Sequence, residues 1–236
     1  MRVRIKFTKT GSMKYIGHLD VMRYFQKALR RAHLDVAFSE GFSPHMLMSF
    51  AAPLGVGITS SGEYFDLDLK TGASTLELTR RLNEQMAEGI EVLSVRQIRE
   101  DKASKCMTLV AAADYLVTFR PGKVLLPENW QEKLADFMKQ EAIWVNRKTK
   151  RSEQETDIRP WIYRLEAREN GVFLQLSSGS VHNLKPELVM QAFGRYLGLE
   201  YPEYALQIHR LEIYADQGEE GQRRLVTLES LGEEIL

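Results

Sequence analysis

The sequence predicts an α+β fold built of two tandem ferredoxin-like units, each a split βαβ arrangement with an antiparallel sheet. Two observations predict this fold. Segments that alternate apolar and polar residues are interleaved with segments of helical spacing, and the order β-α-β-β-α-β occurs twice along the 236 residues. The predicted organisation is a first unit at 1–98, a connection at 99–110, a second unit at 111–215 and an acidic C-terminal tail at 216–236.

In the first unit, Val3, Ile5 and Phe7 alternate with charged and polar residues, which is typical of a half-buried strand. Ser74 and Glu77 stand at the spacing of a capping box, in which both side chains satisfy free amides at a helix start. The elements predicted in this way are a strand at 3–8, a helix at 18–32, strands at 35–39 and 64–69, a helix from 74 and a strand at 90–98.

The second unit follows a polar, lysine-bearing connection and starts with a strand around Tyr115, Val117 and Phe119. Pro127 and Pro186 each predict the first turn of a helix, where proline lacks only an amide that would have no partner. The remaining predicted elements are a strand at 143–146, a charged excursion at 147–157, a hairpin of 161–167 with 171–177 and a last strand at 206–214.

The charge and cysteine content exclude several classes of protein. Lysine plus arginine equals aspartate plus glutamate at 32 each, so net charge predicts no partner. Cys106 is the single cysteine, which excludes an internal disulfide, a self-contained iron–sulfur cluster and a cysteine-rich zinc site. No segment approaches the roughly 18 uninterrupted apolar residues of a membrane span. We therefore expect a cytoplasmic protein that holds no cofactor of its own.

The loop at 39–57, SEGFSPHMLMSFAAPLGVG, is the most informative stretch of the chain. A proline-rich connection of about 20 residues in a compact domain is usually functional or disordered. We expect its first half to offer a contact surface made of Glu40, Phe42, Pro44 and His45. The alternative is a loop that tucks under the sheet and uses its apolar residues as a satellite core.

The first predicted helix carries a basic stripe. Arg23, Lys27 and Arg30 lie at i, i+4 and i+7, opposite the apolar face, so they could follow a phosphate backbone. The alternative is a solvated helix face whose late cations favour the negative end of the helix dipole. His18 and Asp20 stand at the start of the same helix. They have no fixed metal-ligand spacing with Glu40 or His45, so we expect no metal site.

Two further patterns bear on binding. Arg4 and Lys6 of the first strand and Tyr64, Asp66 and Asp68 of its neighbour are expected on the open face of the first sheet, where cross-strand charge pairs argue against RNA recognition by stacked aromatics. In the second unit, Asp157 and Arg159 precede Pro160, which disfavours helix at Arg159. We therefore expect both side chains on one side of an extended segment, as a second contact or as a surface ion pair.

The residues above carry a family resemblance. The segments MKYIGHLDVMRYFQKALRRA, VAFSEGFSPHMLMSFAAPLGVGITSSGEYFDLDL and DIRPWI resemble the radical-SAM-linked proteins of unknown function found in bacteria. In that family the domain is encoded beside, or fused to, a B12-binding-type radical SAM protein, which implies an accessory role. The family has no established catalytic residues to carry over. One departure is visible at 46–48, Met-Leu-Met, where the family often has a proline and a lysine.

The leading hypothesis is therefore a non-catalytic accessory protein that binds a radical SAM partner and presents RNA to it. A radical SAM enzyme needs three closely spaced cysteines for its cluster, so the redox chemistry would belong to the partner. One alternative is a stand-alone RNA-processing enzyme with His18 or His45 as general acid or base. Another is a protein–protein scaffold without RNA. The expected contact residues are His18, Asp20, Arg23, Lys27, Arg30, Glu40, Phe42, Pro44, His45, Asp157 and Arg159.

Overall fold

The computed structural model describes residues 1–148, 153–219 and 221–236, and it confirms an α+β architecture with a mostly antiparallel sheet. The helices are α1 (His18–Arg31), α2 (Thr75–Asn83), α3 (Cys106–Leu109), α4 (Trp130–Met138) and α5 (Pro186–Tyr196). The strands are β1 (Arg2–Lys9), β2 (Met48–Phe50), β3 (Thr59–Asp68), β4 (Val92–Ile98), β5 (Val110–Phe119), β6 (Trp144–Lys148), β7 (Glu153–Asp157), β8 (Ile162–Arg168), β9 (Gly171–Ser177), β10 (Leu206–Asp216) and β11 (Leu225–Thr227).

The chain forms two compact units that divide it differently from the predicted boundaries. The first contains residues 1–112 together with 210–236, and the second contains 113–209. The predicted connection at 99–110 includes the short helix α3, whose Cys106 is fully buried. The segment that the sequence analysis treats as a separate acidic tail lies inside the first unit, because β11 pairs with β10 there.

In the first unit the strands follow the order β4-β1-β3, and β2 and β10 both pair with β3. Helices α1 and α2 contribute buried residues to one core with β1, β3 and β4. The rings of Phe7, Phe25 and Phe65 meet in the centre of this core, and Phe25 lies 4.7 Å from each of the other two centroids. Alternation along β1 and β3 therefore predicted the buried face correctly.

The opposite face of this sheet carries the predicted charge pairs. Arg4 stands across from Asp66 in the β1–β3 register, and Lys6 stands across from Tyr64. The expectation that this face is open is wrong. Leu228 is fully buried in a cluster with Tyr64, and the Leu228 carbonyl accepts a hydrogen bond from the Arg4 guanidinium at 3.0 Å. The C-terminal segment covers this face because its apolar residues bury against it.

The second strand was predicted in the wrong place. Val36 and Phe38 make only isolated bridges, to Leu69 and Met46 respectively, and the chain then reverses direction. The strand that pairs with β3 is β2, where Phe50 stands across from Phe65. Their rings stack at 5.1 Å. Contacts with a distant strand, rather than local alternation, therefore decide where the second strand forms.

In the second unit the strands follow the order β10-β5-β9-β8. Helix α4 begins at Trp130 rather than at Pro127, and Phe137 on α4 packs against Phe193 on α5 at 5.5 Å. Strand β6 covers most of the strand predicted at 143–146 and extends into the predicted charged excursion, which also contributes β7; β6 and β7 form their own two-stranded sheet. Its middle, 149–152, lies outside the described residues. Gly171 is required where β9 begins, because a Cβ there would stand 2.2 Å from the Val117 carbonyl oxygen.

None of the helices described has the length and apolarity needed to cross a membrane.

Candidate binding surface at the start of helix α1

Two of the motifs singled out in the sequence meet at the start of α1. The His18 ring lies edge-on to Phe50 at 5.3 Å, so the first residue of α1 contacts the second half of the 39–57 loop. The Gly57 amide donates to the Lys14 carbonyl at 2.7 Å, which ties the end of the loop to the segment before the helix. Three apolar side chains next to these residues in sequence are exposed, namely Tyr15, Leu19 and Val56.

The basic stripe on α1 is exposed. Val21, Phe25 and Leu29 bury the inner face of the helix, so Arg23 and Lys27 point to solvent. Arg30 does so as well. Arg23 makes a 3.2 Å ion pair with Asp20, and both side chains are exposed, so water and salt screen this pair. Within the described parts of the chain, no carboxylate forms an ion pair with Lys27 or Arg30.

The first half of the loop is a tight turn with an exposed tip. The Ser39 hydroxyl lies 2.8 Å from the His45 Nδ1 and accepts a hydrogen bond from the His45 amide at 3.1 Å. Gly41 has a φ of 103°, a conformation that glycine adopts at low cost. Phe42 next to it is fully exposed. Glu40 and Pro44 are exposed as well.

The middle of the loop contributes buried side chains. Met46, Ala51 and Leu54 are almost inaccessible to solvent, whereas Pro53 and Val56 are exposed. The two interpretations of the loop therefore apply to different parts: the first part presents side chains to solvent, and the middle contributes to the core.

A buried ionisable cluster next to His18 was missed by the sequence analysis. Lys9 is only 1 % exposed, and its Nζ donates to the Ile16 carbonyl at 2.9 Å. Glu63 and Arg210 form a buried ion pair, with the Arg210 Nε 2.7 Å from a Glu63 carboxylate oxygen. A signal was present, because Lys9 continues the alternation of Ile5 and Phe7 and so falls on the buried face of β1.

Burial shifts the pKa values of this cluster. Desolvation lowers the pKa of His18, the Glu63 charge opposes this shift and the Lys9 charge adds to it. Desolvation also lowers the pKa of Lys9, with Glu63 opposing and Arg210 adding to the shift. Both effects weaken the protonated forms. A cavity of about 10 Å³ lies here, lined by Phe7, Lys9, His18, Val21, Phe50, Ala52, Leu54 and Glu63.

His45 belongs to a different pocket, of about 180 Å³. It is lined by Arg2, His45, Met46, Leu47, Met48, Ser49, Asp66, Asp68 and Lys105. The structure therefore does not bring His18 and His45 into one pocket. Within the described residues, no three His, Cys, Asp or Glu side chains are grouped so that they could hold a metal ion.

Asp157 and Arg159 organise a turn in the second unit. The Asp157 carboxylate accepts hydrogen bonds from the amides of Ile143 at 2.8 Å and Arg159 at 2.9 Å. The Arg159 Nε donates to the Met138 carbonyl at 3.1 Å. The expected extended geometry is wrong, because Ile158 has helical backbone angles of −97° and −5°. Both side chains therefore bind main-chain groups of their own unit.

Comparison with known proteins identifies the family. A family model described as "Uncharacterized protein conserved in bacteria (DUF2344)" matches residues 2–186. The chain belongs to this family. The match includes α1, the loop and Asp157, whereas β10, which supplies Arg210, lies beyond it. No curated protein matches the sequence.

Two solved structures show a distant likeness. The chain is similar to one from a Cbf5-Nop10-Gar1 complex, with 12 % identity, a TM-score of 0.45 and coverage of 89 % of this chain and 48 % of that one. For one from the archaeal box H/ACA sRNP Nop10-Cbf5 complex, the identity is 11 %, the TM-score 0.43 and the coverage 88 % and 46 %. The DUF2344 chain thus spans about half the length of these chains, and the likeness identifies no shared function.

Proposed function

We propose that this DUF2344 protein is a non-catalytic, cytoplasmic accessory protein of a radical SAM enzyme and that it holds an RNA substrate for that partner. The exposed stripe of α1 would contact the RNA phosphates, and the turn that carries Phe42 would contact the partner protein. The link to a B12-binding-type radical SAM protein is supported by the motif resemblance at 13–69 and 157–162.

The proposal takes each unit as ferredoxin-like. The order β4-β1-β3 in the first unit, with β2 as a further partner of β3, supports this, and α1 and α2 contribute to one core with these strands. The second unit has the corresponding order β10-β5-β9-β8 with helices α4 and α5. A fold of this kind hosts many functions, so the function is inferred from the surface rather than from the fold.

The observation that carries the RNA part is the unbalanced charge on one helix face. Arg23, Lys27 and Arg30 repeat along the exposed side of α1, and only Arg23 has a carboxylate partner in the described chain. Cations in such a row can neutralise successive phosphates and release counterions, which is the main source of sequence-independent affinity for nucleic acid.

The observation that carries the protein part is the exposure of Phe42. The Phe42 ring is exposed to water at the tip of a hydrogen-bonded turn. Burying such a ring in a pocket of a partner protein is favourable, because it removes apolar surface from water. Buried aromatic anchors of this kind often dominate protein–protein binding. The Ser39–His45 contacts fix the turn, so little ordering is needed when Phe42 binds.

Replacing Phe42 with Ala is expected to weaken binding to the radical SAM partner by about 30-fold, which corresponds to the roughly 2 kcal/mol of a hot-spot residue. The measurement is a tagged pull-down from the native host, followed by titration of the recovered partner against both variants. Leu125→Ala is the matched control, because Leu125 is also a highly exposed apolar residue but lies in the second unit.

The same eluate separates the alternatives. Recovery of a cysteine-rich radical SAM protein together with a defined RNA supports the proposal. The radical SAM protein without RNA leaves a protein–protein scaffold. Finding neither would favour the alternative of a stand-alone RNA-processing enzyme. In that case His45→Ala should abolish turnover without weakening RNA binding. Unchanged partner binding by Phe42→Ala contradicts the assigned role of the turn.

A further inference from the structure

The first unit buries Lys9, which forms no ion pair with a carboxylate of the described residues. Lys9 is 1 % exposed, and its Nζ has one hydrogen bond in the described chain, to the Ile16 carbonyl at 2.9 Å. Glu63 is the carboxylate in the same cluster, and Arg210 already holds both of its oxygens. Burying an ammonium group without an anion costs free energy, so this arrangement is incomplete as it stands.

The buried cluster of Lys9, Glu63 and Arg210 contains two cations and one carboxylate, so these three side chains carry one net positive charge. The excess charge is that of Lys9, because Arg210 is paired with Glu63. Helix α1 begins beside them, and its N-cap residue Gly17 has no side chain to accept from the first-turn amides. The positive end of the helix dipole adds to the field of the two cations, and the exposed Asp20 carboxylate in the first turn opposes it.

The cavity beside Lys9 has the size of one oxygen atom. Its volume of about 10 Å³ is near the smallest that can hold a water molecule. Lys9, His18 and Glu63 line it, and His18 at the start of α1 is only half-buried. A small anion could place one oxygen in the cavity and leave its other atoms outside.

We propose that this cavity accepts one oxygen of a phosphate group, with Lys9 as its counter-ion and the uncapped first turn of α1 as a second contact. The buried, carboxylate-free ammonium and the matching cavity carry this inference independently of the RNA proposal. The group could be inorganic phosphate or the terminal phosphate of an oligonucleotide, since both present the same oxygens. We call this cavity, with Lys9 and His18, the phosphate pocket.

The test is calorimetric titration of the full chain with inorganic phosphate at constant ionic strength, compared with chloride. The wild type is expected to bind phosphate, and Lys9→Met is expected to weaken that binding by at least tenfold. Methionine has nearly the length of lysine without its charge, so Lys9→Met should melt in chloride at the wild-type temperature or above it. Lys133→Met is the control, because Lys133 is an exposed lysine on α4.

The proposal is overturned if the wild type shows no phosphate binding beyond that of chloride, or if Lys9→Met binds phosphate as tightly as Lys133→Met does. Oligoribonucleotides with a 5′-phosphate or a 5′-hydroxyl then identify the source of the group. A Lys9-dependent preference for the phosphorylated end assigns an RNA terminus, and equal affinities alongside phosphate binding assign the free ion. Phosphate binding without any RNA binding would support the phosphate pocket and contradict the proposal that the protein binds RNA.

Discussion

Replacing Asp66 with Asn is expected to lower the free energy of unfolding by about 3–5 kcal/mol, the usual cost of breaking a buried ion pair. Arg4 and Asp66 are 1 % and 3 % exposed, and the guanidinium meets the carboxylate at 2.8 and 3.2 Å. The same carboxylate accepts the Cys106 amide at 2.6 Å. Asparagine keeps the shape of aspartate but leaves the Arg4 charge buried without an anion, and that remaining charge causes the loss.

Equilibrium unfolding in urea measures this loss. Asp136→Asn is the matched control, since Asp136 forms an exposed ion pair with Lys139 on α4 and its loss should leave the unfolding midpoint unchanged. A midpoint for Asp66→Asn that coincides with that of Asp136→Asn would show that the Arg4–Asp66 pair does not hold the first sheet together.

Replacing Leu228 with Ala is expected to cost about 2–5 kcal/mol of unfolding free energy, as other buried leucines do. Leu228 is fully buried beneath the first sheet, in one cluster with Tyr64 and Cys106. Its carbonyl also accepts from Arg4, so the C-terminal segment is both packed and hydrogen-bonded. The smaller side chain would leave a cavity on the face that this segment covers.

Urea unfolding again provides the measurement, with Leu236→Ala as the control from the same segment. Leu236 is fully exposed, so its truncation should not alter stability. If both variants unfolded like the wild type, the C-terminal segment would not be part of the first unit's core. This outcome would also indicate that the sheet face with Arg4 and Lys6 is open to solvent, as the sequence predicted.

Periodicity predicted the elements whose burial depends on neighbours in sequence. The alternation of Val3, Ile5 and Phe7 located β1, and helical spacing placed α1 at its observed start, His18. The expected strand order also placed Arg4 and Asp66 on the same face of neighbouring strands, and the structure pairs them. The place of β2 did not, because Phe50 becomes a strand residue only through its contact with Phe65 on β3. The burial of Leu228 likewise requires a sheet that forms from the opposite end of the chain.

The candidate site was predictable where exposure follows from spacing. Arg23 and Lys27 lie opposite the apolar face of α1, and the structure leaves them in solvent. The buried ionisable cluster beside the phosphate pocket could not be assembled from the sequence, since Arg210 lies 147 residues from Glu63 along the chain. Only the position of Lys9 in the alternating pattern of β1 indicated that this lysine is buried.

The central claim is that the stripe on α1 binds RNA through phosphate contacts, and the salt dependence of RNA binding tests it most directly. Fluorescence anisotropy with a single-stranded RNA should show log K falling with log salt at a slope of about −2 for three contacts. Arg23/Lys27/Arg30→Gln should abolish most of this slope. The charge-matched control replaces three exposed lysines of the second unit, Lys123, Lys133 and Lys139, with Gln. Equal slopes for the two triple variants, or no salt-dependent binding by the wild type, would contradict the claim.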